Sequence, residues 1–288
     1  MSNVWTGQVQ DMCKVINAQA SAFCREVVGG TLTLNPHNIN KRGIGAQVHA
    51  RKGTLEATLE ARCIGITKED LALWFPTTRG VQVANFPAFY VQADDGANSY
   101  AVLLSDAQPA SITIEQGDGE DAEVEINITL KAATVDPDAT ALSPVYNALA
   151  GHTLNDTVVT IGGVELGVLS WSLGNDLGLK IWNPRNTRTT KALPFGYVMT
   201  QQDPRFQAVC SDSGHLTTML DDDWTPEDIV ITMANGTQAQ DIEITLSDFI
   251  LSNWSAPFEP EGIVGHAHEW IPGSGNQYGR VLFAGVGS

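Results

Sequence analysis

Two histidines are the residues in this chain best spaced for metal chemistry. His266 and His268 are two residues apart and Glu269 follows, so on a strand both imidazoles would face one way and could share a Zn²⁺ with a third ligand. No spaced cysteine, histidine or carboxylate accompanies them, and surface histidines are the expected reading. Asp221-Asp222-Asp223 and Gly117-Asp118-Gly119-Glu120-Asp121 have the composition of calcium loops but lack the alternating ligands that end in a bidentate glutamate. They are expected to be solvated acidic turns. The many Asp and Glu residues could supply a glycosidase pair, which requires two carboxylates converging on one cleft. Trp74, Trp171, Trp182, Trp224, Trp254 and Trp270 could stack on sugars, although tryptophans serve more often as core or interface anchors. There is no G-x-S-x-G elbow, Walker A loop, Rossmann fingerprint or H-E-x-x-H pattern. The sequence therefore predicts no enzyme, no catalytic residue, no cofactor and no metal.

The elements around these residues read as short strands. Val158 to Ile161, a Gly162-Gly163 turn and Val164 to Leu173 predict a hairpin. Hairpins are also predicted from Ser111 to Ile114 with Glu123 to Leu130, and from Ile229 to Thr232 with Asp241 to Leu246. Thr67, with Asp70 three residues on, predicts the cap of a short helix that Pro76 stops. Residues 35–53 are polar, contain Lys41, Arg42, Arg51 and Lys52, and lose apolar periodicity. They read as a long basic loop or a splayed hairpin.

Composition sets the class. With 43% hydrophobic and 17% charged residues, 27 Gly and 13 Pro, the chain of 288 residues is globular, turn-rich and mainly β. Either half is long enough to bury a core. The 33 acidic residues outweigh 16 basic ones for a formal charge of −17. Such a surface repels phosphate backbones and anionic lipid, so direct binding to DNA or membrane is not expected. Cys13, Cys24, Cys63 and Cys210 lack paired spacing and read as unpaired thiols in a reducing compartment. The start of the chain has no basic segment leading into an apolar run, and no apolar stretch is long enough to span a bilayer.

Internal echoes suggest one β unit used twice. Ile126-Asn127-Ile128-Thr129-Leu130 returns as Ile242-Glu243-Ile244-Thr245-Leu246, each after a similar strand and a Gly-containing turn. Val27-Val28-Gly29-Gly30 is echoed by Thr160-Ile161-Gly162-Gly163. The organisation this predicts is a first unit at 1–135 carrying the long loop, a linker at 136–157, a second unit at 158–258 with a shorter loop, and a Gly-rich C-terminal arm at 259–288. A repeat of this size points to assembly before catalysis.

With these segments in place, the chain resembles the major tail, or tail tube, proteins of long-tailed bacteriophages. The likeness lies in Lys52-Gly53-Thr54-Leu55-Glu56-Ala57-Thr58-Leu59 running on to Lys68-Glu69-Asp70-Leu71-Ala72-Leu73-Trp74-Phe75, in Val158 to Leu173, and in the closing hairpin of each unit. Together these stretches cover under half of the chain. The resemblance implies a β-sandwich or small barrel with a short flanking helix in each unit. It also implies six such domains in a ring, and rings stacked into a tube through which the genome is ejected. Two units per chain would make the ring a trimer with pseudo-sixfold symmetry, with a plain hexamer as the other stoichiometry. The implied partners are copies of itself and other tail proteins, with DNA passing unbound. The implied location is the virion tail, after assembly in the host cytoplasm.

Within that expectation, Glu123, Glu125, Asp241 and Glu243 are the predicted channel-lining residues, because they alternate with apolar neighbours on strands. Lys41, Arg42, Arg51 and Lys52 are the predicted inter-ring contact. Two other readings stay open: a distal-tail or baseplate ring protein that forms a single ring, and a carbohydrate-binding β-sandwich.

Overall fold

The structure is a computed structural model. It describes residues 1–288 except 1–4, 17–18, 44–45, 79–82, 84–85, 95–98, 118, 120, 137–144, 146–150, 183–195, 212–224, 237–239, 256–264, 276 and 287–288. Side chains are also left undescribed for residues 5–8, 10, 35–55, 94, 99–100, 181–182 and 196. The chain is mainly β. Alternation explains why. In the strand Glu125–Asp136, the side chains of Ile126, Ile128, Leu130 and Ala132 are buried while Glu125, Asn127, Thr129 and Lys131 stay half-exposed. In Asp203–Cys210, Phe206, Ala208 and Cys210 are buried between the exposed Arg205 and Gln207.

The first half contributes β1 (Trp5–Ile16), β2 (Gln19–Ala22), β3 (Cys24–Gly43), β4 (Ala46–Ile66), the helix α1 (Lys68–Ala72), β5 (Ala88–Asp94), β6 (Ser99–Gln116) and β7 (Glu125–Asp136). After a 3-10 turn, Leu154–Asp156, come β8 (Thr157–Ile161), β9 (Val164–Leu166), β10 (Val168–Asp176), β11 (Lys180–Trp182) and β12 (Gly196–Val198). The chain closes with β13 (Asp203–Cys210), β14 (Glu227–Met233), β15 (Ile242–Ser255), β16 (His266–Pro272) and β17 (Val281–Ala284). The strands, β11 and β12 excepted, form one 15-stranded sheet. No helix among the described residues is long and apolar enough to cross a membrane.

This sheet folds back on itself twice in the same order. In the first half β1 pairs with β2 and β3, β3 with β4, β4 with β7, β7 with β6, β6 with β5, and β5 with β1 again. In the second half β8 pairs with β9, which continues as β10. From there β10 pairs with β13, β13 with β16, β16 with β15, β15 with β14, and β14 with β8. With an interrupted strand counted as one position, both circuits run first, second, third, sixth, fifth, fourth. The fifth strand bends at the same residues in each. Leu104-Ser105-Asp106 and Leu246-Ser247-Asp248 place their aspartates at φ 51° and 56°. A bulge then follows at Pro109/Ser111 in one and Leu251/Asn253 in the other.

Two sequence-based expectations are corrected, and an open alternative is resolved. The echo of Ile126–Leu130 in Ile242–Leu246 joins a sixth strand to a fifth one, so it is not the structural repeat. The expected arm at 259–288 holds two strands of the sheet among its described residues. β16 pairs with β13 and β15, and β17 pairs with β15, so both belong to the second circuit. Of the two readings of residues 35–53, the hairpin is the one found: β3 and β4 continue through them, with Pro36↔Leu55, Ile39↔Arg51 and Lys41↔His49 opposite each other. The second circuit carries a hairpin of its own, β11 with β12, at the same place between its second and third strands. The tip of that hairpin and any helix at 212–224 lie outside the described residues.

The two halves share one core. Leu32, Leu59, Ile112 and Ile128 belong to the same buried cluster as Trp171, Phe206, Ile231 and Trp270. α1 starts as predicted, with Thr67 Oγ1 accepting from the Asp70 amide at 3.2 Å. Lys14 Nζ is bound to the Asp70 carboxylate at 2.6 Å, which ties the helix to β1. Gly162 and Gly163, at φ 57° and 80°, make the two-residue turn between β8 and β9.

Candidate functional site: a strand junction and its two edges

The junction between the circuits is itself a strand pairing. β6 residues Ser111 to Gln116 lie antiparallel to β10 residues Asp176 to Trp171, so a fifth strand of the first circuit pairs with a second strand of the next. Side chains seal this seam. Trp171 Nε1 donates to Gln116 Oε1 at 2.8 Å, and Gln116 Nε2 donates to the Ala122 carbonyl at 3.1 Å. Asn175 Nδ2 donates to the Trp74 carbonyl at 2.6 Å, and its Oδ1 accepts from the Asp203 amide at 3.1 Å. All of these groups are buried or nearly so, where a satisfied polar network holds one register in preference to others.

Two further contacts cross the seam. Tyr197 of β12 donates its hydroxyl to the Ala132 carbonyl on β7 at 3.0 Å, so the second hairpin lies over the sixth strand of the first circuit. Burial, then the Glu56 carboxylate, raise the Tyr197 phenol above its ordinary range and keep it a donor. Phe75, just after α1, packs on Phe283 of β17 with ring centroids 5.3 Å apart.

The equivalent strands at the far sides of the two circuits are β15, whose edge is open, and β3, whose edge is covered by β1. Beyond the Asp248 corner, β15 pairs with β16 on one side from Ile250 to Ser255. Among the described residues no strand pairs with its other side. Asn253 and Ser255 on that stretch are exposed. On the far side of the first circuit β3 takes the place that β10 holds at the junction, pairing with the third strand of its own circuit on one side and, from Thr31 to Leu34, with β1 on the other.

The wet face of the shared sheet is polar and laced with ion pairs. Arg62 meets Glu125 at 3.5 Å, Lys131 pairs with Glu56, and Arg205 lies 3.1 Å from Asp203 and 3.5 Å from Glu269. Asn127 donates to Glu115 at 2.7 Å. A recess of about 440 Å³ lies over the seam, lined by Glu115, Ser170, Ser172, Gln207, Asn253 and Glu269 among others.

The four predicted channel carboxylates do not lie together. Glu125 is on the wet face of the shared sheet. Glu123 precedes β7 and is bound by Arg25 at 2.6 Å. Asp241 is buried at 5% exposure and accepts from the Asn235 amide at 3.0 Å, so it closes the turn before β15 and lines nothing. Glu243 lies before the Asp248 corner, where β15 pairs with β14 and β17. Period-two alternation identified Glu125 and Glu243 as partly exposed positions but not which part of the sheet each belongs to, whereas Glu115, Asp203 and Glu269 share the face of Glu125. Lys41, Arg42, Arg51 and Lys52 all fall on the β3–β4 hairpin.

The metal candidates have other roles. His268 is buried and packs edge-on against Trp270 at 5.1 Å, while the half-buried His266 stacks on Trp254 at 5.4 Å. They are therefore packing residues and not the surface histidines expected. Among the described residues no three metal-ligating side chains converge. Asp221 to Asp223, with Asp118 and Glu120, lie outside the described residues. The four cysteines are buried and none is in a disulfide.

No protein family and no curated protein sequence matches this chain.

Proposed function

We propose that this chain is a structural subunit that assembles head to tail into rings, as the tail tube subunits of long-tailed phages do, and that the rings stack into a tube for DNA. The observation that carries the reading is the β6–β10 junction. It joins two circuits of the same strand order through a fifth-to-second strand pairing, and the remaining fifth strand (β15) and second strand (β3) have no such partner from another circuit. A contact that already exists once inside the chain can be repeated between chains, and the open edge of β15 favours such pairing. Three chains would then close a ring of six circuits, with the plain hexamer as the alternative stoichiometry.

The wet face carrying Glu60, Glu115, Glu125, Asp203 and Glu269 is the natural lining of such a ring. Carboxylates repel DNA phosphates and let the duplex pass without sticking. The β3–β4 hairpin, with Lys41, Arg42, Arg51 and Lys52, extends past the strands that flank it and suits contact with the acidic surface of a neighbouring ring. Other tail proteins would cap the stack, and the assembled tube would reside in the virion tail after assembly in the host cytoplasm. The carbohydrate-binding alternative has less support. Trp74, Trp171 and Trp270 are buried, and Trp254 is stacked on His266.

Electron microscopy of the concentrated protein tests the reading. Annular particles that stack into tubes are expected. Rings that never stack would favour a distal-tail or baseplate component, and a uniformly small monomer at every concentration would reject assembly altogether.

A further inference from the structure

The two circuits differ in one place that bears on assembly. Residues side by side across the second circuit's part of the shared sheet are Trp171, Ala208, His268 and Trp254; across the first they are Gly30, Ala61, Ile128 and Ile112. Gly30 thus holds the place of Trp171. The edge that receives β6 at Trp171 to Asp176 has its counterpart at Gly30 to Asn35 of β3. That counterpart is occupied. Trp5, Thr6, Gly7 and Gln8 of β1 lie opposite Leu34, Thr33, Leu32 and Thr31.

The second circuit shows what the same segment does when a fifth strand takes that edge. Met12 of β1 and Val159 of β8 hold matching places, opposite Val91 and Ile231, which in turn face Val102 and Ile244. The match puts residues 152–155 in the place of Trp5 to Gln8. There the chain is not a strand. It turns through the 3-10 segment Leu154–Asp156, held by the Asp156 carboxylate accepting from the Thr153 amide at 2.8 Å, and Thr153 bridges to Glu123.

We propose that Trp5 to Gln8 is a displaceable strand that covers the assembly edge of β3 in the free chain and yields it to β15 of a second copy. The inference rests on the head-to-tail reading and adds a gate to it. A chain with a capped acceptor edge stays unassembled until a donor strand competes the cap away, which is how edge strands are kept from uncontrolled pairing. By the register of the β6–β10 junction, Asn253, Trp254 and Ser255 of the incoming copy would face Asn35, Leu34 and Thr33.

Two full-length variants test the gate. Thr6→Cys/Thr33→Cys places thiols on directly opposed strand residues, at a separation a disulfide can bridge, and the native cysteines are buried. Oxidised, it should remain a monomer at concentrations where the parent assembles; reduced, it should assemble. Gly7→Pro removes a backbone donor from the covering strand and should lower the assembly threshold about tenfold, the scale of one or two net hydrogen bonds. Light scattering and electron microscopy read both. Assembly of the oxidised variant like the parent, or an unchanged threshold in a folded Gly7→Pro, overturns the gate while leaving the ring reading intact. If Gly7→Pro fails to fold, the disulfide variant decides alone. If the parent itself never assembles, the ring reading falls and the gate with it.

Discussion

Trp171 of β10 and Gln116 of β6 are opposed across the junction of the two circuits, and the indole nitrogen donates to the amide oxygen at 2.8 Å. Gln116→Leu would leave that buried donor without its acceptor at nearly constant volume. The expected cost is about 1–3 kcal/mol of unfolding free energy. Urea denaturation checks it, and an unshifted midpoint would show that the seam is held by packing alone.

Assembly should be separable from folding at the far edge. Asn253→Lys with Ser255→Lys adds charge at two exposed positions on the open side of β15. Lysine on an edge strand opposes strand addition. The melting temperature should stay within a degree or two, while rings disappear from micrographs. Persistent rings would mean that β15 is not the donor.

Stacking should depend on the long hairpin. Arg42→Glu with Arg51→Glu reverses charge on the paired segment of β3 and β4. Rings are expected to form but to stack poorly, with the defect growing as salt is lowered. Tube lengths equal to the parent's would remove the hairpin from the contact.

Acid stability should report His152. Burial, the largest influence, lowers its pKa, and Asp156 and Asp241 offset this only in part. The unfolded chain therefore binds a proton more readily than the folded one. Stability is full above the unfolded value of about 6.5 and falls as pH drops below it. His152→Asn should flatten this part of the pH profile in denaturant titrations; an identical slope would assign the effect to other groups.

The thiols should be inert while the chain is folded. Burial, then Asp11, push Cys13 up to about 11, and the Cys24 hydrogen bond followed by burial raises Cys63. The thiolate is the reactive form, so little reaction with a disulfide reagent is expected at pH 8, and all four cysteines should react once denatured. Rapid labelling of the native protein would contradict this.

Local chemistry made much of this legible. Gly162-Gly163 gave away the β8–β9 turn, Thr67 with Asp70 gave away the start of α1, and strict alternation placed β7, β14 and β15. The order of the strands was not legible, because the β1–β5 and β4–β7 pairings join segments with no local mark of their partner. The repeat was misplaced for a physical reason. Half-buried strands favour alternating β-branched residues, so Ile126 to Leu130 resembles Ile242 to Leu246 without being equivalent to it. The informative echo was the three-residue Leu-Ser-Asp at the corners, where an aspartate tolerates positive φ better than most residues. Residues 35–53 could be read as a loop or a hairpin because, among the described residues, that hairpin pairs only with itself, so no apolar stripe is required of it.

The fusion of two circuits into one polypeptide also divides labour between joints. The β6–β10 joint forms as the chain folds, at an effective concentration no free partner could match, and any lesion there appears as lost stability. The joint between β15 and β3 would be bimolecular, set by abundance and timing. Two joints of the same design can therefore drift apart in sequence, one selected for permanence and the other for reversibility until the moment of use.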